Sequence, residues 1–89
     1  MAELSKQKRP IRLIAGDIIR IWSAMGKGVN YAAKPYLTAM LSLESGDESY
    51  GYDSAASVLA YGLSNMRSFR GPEAKALKAE LKAHLKGAA

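Results

Sequence analysis

His84 follows Glu80 by four residues, a spacing that sets an imidazole beside a carboxylate on one helix face. Such a pair could move protons, but the same spacing is common on solvated helices. The chain has one histidine and no cysteine. Thiolate nucleophiles, thiolate zinc sites and multi-histidine metal sites are therefore excluded. Asp47, Glu48 and Asp53 are the acids that could hold a hard cation. Yet Asp47-Glu-Ser-Tyr-Gly51 lacks the alternating acids of a calcium loop, and solvated loop acids with a helix cap account for the three. Gly26-Lys-Gly28 is too short for a phosphate-binding loop and reads as a helix stop. A non-enzymatic chain with no metal and no cofactor is expected.

Binding residues are more abundant. Tyr50 and Tyr52 flank Gly51 in a short connection, and Arg67 and Arg70 close the helix that follows. Exposed tyrosine with nearby arginine is the usual composition of a protein-contact hot spot, so these four are the first candidates for a protein-binding surface. A second set is cationic. Lys6, Lys8, Arg9 and Arg12 lie at the N-terminus, and Lys75, Lys78, Lys82 and Lys86 form a one-sided row. These could line the phosphates of a nucleic acid. Zinc-finger, RNA-recognition and helix-turn-helix signatures are missing, and residues suited to base reading do not cluster. The lysine row beside Leu77, Leu81 and Leu85 also has the form of an amphipathic membrane-surface helix, but the apolar stripe is narrow.

The elements that must position these residues are helical. Ile11, Ile14, Ile18, Trp22 and Met25 recur at helical spacing after Pro10 and predict a first helix near 10–25, with Leu13 out of phase. Tyr36, Met40 and Leu43 predict a second near 34–45. Pro35 either opens that helix or, if Asn30 is the cap, kinks it. Asp53 caps a third near 53–69, whose stripe is Leu59, Leu63 and Met66. Gly62 lies inside it and marks a close helix crossing. Pro72 and Glu73 open a fourth, near 72–86, with Ala74, Leu77, Leu81 and Leu85 inward. No stretch alternates like a strand. The expected fold is a compact all-α single domain, 10–89, of about four helices, preceded by a flexible basic arm at 1–9. The expected core holds Ile14, Ile18, Trp22, Met40, Leu59, Leu63, Met66 and Leu81.

Charge is segregated along the chain. The net charge is +5, and residues 35–66 contain four acids and no lysine or arginine. Both flanking segments are cationic, so the ends can fold onto the acidic centre or face different partners. With no secretory signal and no apolar run near the roughly 20 residues of a membrane span, a cytoplasmic location is expected. Leu13 and Ile19 are surplus apolar residues that a homo-oligomer could cover.

Tyr31-Ala-Ala-Lys-Pro-Tyr-Leu-Thr-Ala-Met40, the Tyr-Gly-x-Asp run at Tyr50–Asp53, Leu63-Ser-Asn65, Arg70-Gly71 and Ala76-Leu-Lys-Ala-Glu-Leu-Lys82 add a resemblance. The chain resembles, over most of its length after the arm, small accessory proteins of actinobacterial phages and prophages. The resemblance implies no assigned activity and transfers no site residue. It implies a small protein that binds a host or phage macromolecule. The leading expectation is thus an accessory module that binds a host or phage protein, and the alternative is nucleic-acid binding through the arm and the lysine row.

Overall fold

Pro10 sits just before the first helix with extended backbone, and α1 runs Ile11–Ser23. Its first two N–H groups need acceptors from outside the helix. They find them far along the chain: Ile11 donates to the Glu44 carbonyl and Arg12 to the Leu43 carbonyl, each at 2.9 Å. Ile11, Ile14, Ala15, Ile18 and Trp22 face inward and are buried, while Leu13 is exposed. The chain then turns through Gly28, whose φ of 68° suits a residue without Cβ.

The structure is a computed structural model and describes residues 9–45, 49–50 and 53–88. Both alternatives at Pro35 hold a part of the outcome. The Asn30 side chain accepts from the Ala32 N–H at 2.8 Å and caps a 3-10 turn, Tyr31–Ala33. The regular helix α2 starts afresh at Lys34–Met40, with Pro35 in its first turn where no donor is missed. The helix expected to reach residue 45 stops at Met40. Leu41 to Leu43 form a tight turn instead, which delivers the Leu43 and Glu44 carbonyls to α1.

Two two-residue strands follow, β1 (Ser49–Tyr50) and β2 (Asp53–Ser54), paired antiparallel. Asp53 thus belongs to the ladder. Ser54 is the cap of α3, Ala55–Ser64, and its hydroxyl accepts from the Ser57 N–H. The helix expected to reach 69 ends at Ser64. Ser64 and Asn65 both turn their side chains onto the Tyr61 carbonyl at 2.8 Å, competing for an acceptor that continued helix would use. Residues 65–71 form a non-helical connection, and α4 runs Pro72–Ala88.

The four helices close a ring: α1 packs on α2 and α4, and α3 packs on the same two. Of the expected core, Ile14, Ile18, Trp22, Met40, Leu59, Met66 and Leu81 are buried. Leu63 is only half-buried and packs against the core from its edge, because α3 turns its Gly62 face toward α2. Phe69 is fully buried in the connection, its ring stacked on Trp22 at 5.0 Å between centroids. Ile19, offered as surplus apolar surface, packs against the core.

Gly62 is the α2–α3 crossing point. A Cβ there would overlap the Met40 methyl group and lie 3.2 Å from the Tyr36 Cβ. Gly62→Ala gains about 1 kcal/mol of helix propensity. Overpacking costs about 1–3 kcal/mol, and the rigid Tyr36 stem gives little ground. The expected result is a net loss of about 1 kcal/mol, read as a Tm lowered by roughly 4–8 °C. A raised Tm would show that the crossing is loose.

Candidate anion-binding site

Helix α4 carries its charges on two sides. Glu73 and Glu80 are seven residues apart, nearly in line along the helix. Lys75, Lys78, Lys82 and Lys86 lie about the opposite flank of the Ala74–Leu77–Leu81 core stripe. Of the two acids, Glu80 is neutralised beside α1, while Glu73 is exposed. Arg9 forms a two-pronged ion pair with Glu80, both contacts at 2.8 Å, and a third contact at 2.8 Å with Asp17 of α1. Arg20 adds a 3.2 Å contact to the same Asp17. His84, buried between these helices, donates its Nε2–H to the Arg9 carbonyl at 2.6 Å.

Arg9 is therefore a clamp residue and not part of a free arm. Its guanidinium is held charged above its ordinary range, first by the hydrogen bond to Glu80 and then by that to Asp17. The Glu80–His84 pair faces Arg9 rather than an open cleft. Arg12 of α1, also assigned to nucleic acid, pairs with Glu44 at 2.6 Å. Lys6, Lys8 and Tyr52 lie outside the described residues, as does the side chain of Tyr50. Among the described residues no group of three or more His, Cys, Asp and Glu could hold a metal ion. No helix among them is long and apolar enough to cross a membrane.

The clamp makes one pH effect specific. Hydrogen bonds from Arg9 first and Arg20 second hold the Asp17 carboxyl below its usual value. The folded state thus resists protonation of this group, and the unfolded chain takes the proton first as the pH falls. Its stabilising contribution is complete above the ordinary carboxylate value of about 4 and is lost as the pH falls through the lower folded-state value. Asp17→Asn is expected to flatten the acid limb of the stability curve below about pH 4. An unchanged acid limb in urea titrations across that range would remove Asp17 from the account.

The other side of α4 keeps its cations unneutralised. Arg67, Arg70, Lys75, Lys82 and Lys86 are exposed and Lys78 is half-buried. None of them enters an ion pair among the described residues, where the bridges involve Arg9, Arg12 and Arg20. Arg70 bends back to the Arg67 carbonyl at 3.2 Å, so the two arginines share one turn. The ammonium of Lys78 lies 5.9 Å from the centre of the Phe69 ring. Burial foremost, and then the charges of Lys82 and Arg70, push Lys78 below the usual lysine range. The connection after α3 therefore joins two residue sets that the sequence kept apart: the arginines assigned to a protein contact and the lysines assigned to phosphates. From Lys75 to Lys86 the row extends about 16 Å. That length matches about five successive phosphates of one strand.

No protein-family model matches the chain, and neither a curated protein nor a solved structure matches it at a significant level. The resemblance to phage accessory proteins gains nothing from these comparisons. The site stands on its geometry alone.

The sequence did not reveal the Arg9–Asp17–Glu80 clamp. The usable signal was the Glu80–His84 pair flanking a leucine stripe, where a histidine set near the core needs a polar partner from another part of the chain. A groove of about 420 Å³ beside the cationic turn was also not legible. It is lined by Trp22, Met25, Lys27, Val29, Tyr31 and Ser68, among others, and Tyr31 on its wall is 88% exposed.

Proposed function

We propose that the chain is a non-enzymatic module that binds the phosphate backbone of a nucleic acid through Arg67, Arg70, Lys75, Lys78, Lys82 and Lys86. One observation carries this reading: these cations gather on one side of α4 and its preceding turn with no ion pair among the described residues, while the described cations of α1 are ion-paired. Crowded like charges cost free energy in the free protein, and an incoming row of phosphates removes that cost and releases condensed counterions. The N-terminal part of the proposed surface narrows accordingly, since Arg9 and Arg12 are engaged elsewhere.

The test is a fluorescence-anisotropy titration with a labelled oligonucleotide across a salt series, with polyglutamate as competitor. About four phosphate contacts give a log–log salt slope near −3 for a single strand. Absence of binding at low salt, or an affinity indifferent to salt, overturns the reading. Displacement by polyglutamate at equal charge concentration would favour the other reading, an acidic host or phage protein held by Tyr50, Tyr52, Arg67 and Arg70.

A further inference from the structure

The groove beside the cationic turn differs in chemistry from the ledge itself. Its floor includes Trp22, which is almost wholly buried and stacked on Phe69. Its lining also includes Lys27 and Tyr31, and the Tyr31 side chain is largely exposed. The Tyr31 backbone is fixed by the Asn30-capped 3-10 turn, with Ala33 N–H on the Asn30 carbonyl at 3.0 Å and Ala32 N–H on the Asn30 side chain. The ring itself covers none of the core. An aromatic group on a stiff stem with an open face, in the lining of a concavity, is the arrangement that stacks a planar ligand.

The groove also adjoins the ledge. Ser68 lines it and lies between Arg67 and Phe69, inside the turn that starts the cationic row. A ligand seated in the groove thus has Lys27 in its lining and, through Ser68, the Arg67–Arg70 turn adjoining it. Planar in the groove and anionic beside it: that is the chemistry of a nucleobase on its phosphodiester strand. A base within a duplex is stacked on its neighbours and paired, so it cannot enter. The groove volume of about 420 Å³ falls within the usual range for small-ligand sites.

We infer that this groove takes an unpaired nucleobase, stacked on Tyr31, from a single strand whose phosphates continue from Lys27 over Arg67 and Arg70 onto α4. The inference rests on the phosphate-binding reading above and deepens it, because it selects single strands over duplexes.

Trp22 is the chain's only tryptophan, so its emission reports on the groove directly. The experiment titrates the full chain with oligothymidylate and oligouridylate of about a dozen residues, and with a blunt duplex of equal length. The expected result is tighter binding of a single strand than of the duplex, with a change in Trp22 emission that saturates with binding. Tyr31→Ala should weaken single-strand binding about tenfold, abolish the preference over duplex and leave the fold intact, since the ring is exposed. Tyr31→Phe should keep the preference, because the face and not the hydroxyl does the stacking. Equal, salt-sensitive binding of all three probes with no effect of Tyr31→Ala overturns the groove inference and leaves the ledge standing. No binding of any probe at low salt overturns both.

Discussion

Phe69→Ala is expected to remove about 3–5 kcal/mol of stability. A domain of this size has on the order of 5–13 kcal/mol in total, so the variant should lie close to its unfolding threshold at 37 °C. The magnitude follows from position. Phe69 is a fully buried ring in a stretch without helical hydrogen bonding, and its stack on Trp22 joins α1 to the α3–α4 connection. Met66 and Phe69 are the residues that this connection buries in the core, and its backbone adds short turns, Asn65 N–H to the Gly62 carbonyl, Met66 N–H to the Leu63 carbonyl and Phe69 N–H to the Met66 carbonyl. A cavity there cannot be refilled by sliding a helix. Urea unfolding followed by Trp22 emission reads the effect as a lowered midpoint with an unchanged slope. Phe69→Leu keeps most of the volume and should lose about 1–2 kcal/mol. If Phe69→Ala lost under 1 kcal/mol, the ring would not be the keystone of the connection. The Arg67–Arg70 turn and the Lys78 ammonium over the ring would then need another explanation for their placement.

How much of this arrangement could be read in advance depended on where each cause resides. The α1 stripe was legible because Ile11, Ile14, Ile18 and Trp22 carry their own periodicity, and a buried face imposes itself locally. Helix ends were less legible because their causes are distant or compete. α2 stops early so that the carbonyls of Leu43 and Glu44 can cap α1, a bond pattern spanning over thirty residues. α3 is capped by Ser54 and not by Asp53, because it is the Ser54 hydroxyl that accepts from the Ser57 N–H. Arg9 was misread as arm for the same reason. The residues before it offer little to bury, and its partners Asp17 and Glu80 are 8 and 71 positions away. The lysine row, by contrast, is a local periodic pattern and survives folding intact. What folding adds is its neighbourhood: Glu80 turned toward Arg9, and the two arginines brought to the row's beginning. The Tyr31 groove had no sequence signature, since its concavity arises where the 22–31 stretch meets Ser68 of a distant connection.

Lys78→Glu with Lys82→Glu is expected to abolish oligonucleotide binding while sparing the fold. Each lysine that neutralises a phosphate adds about 0.7–0.9 to the salt slope, so losing two lowers it by about 1.4–1.8. The new carboxylates also repel the strand, and affinity at low salt should fall at least about a hundredfold. The stability side argues in the opposite direction. Lys78 is held below the usual lysine range by burial, by Lys82 and by Arg70, so its charge is already disfavoured in the folded chain. Carboxylates at these positions replace repulsion of Arg70 with attraction. The lost contact of Lys78 with the Phe69 ring costs about 0.5–1 kcal/mol and offsets that gain. Tm should therefore move little. A chain that melts normally and no longer binds separates function from folding at this face. A matched control, Lys27→Glu with Lys34→Glu, introduces the same charge change off α4 and should leave a duplex's salt slope unchanged. If the control weakened duplex binding as much as the α4 variant, net charge and not the ledge would be responsible.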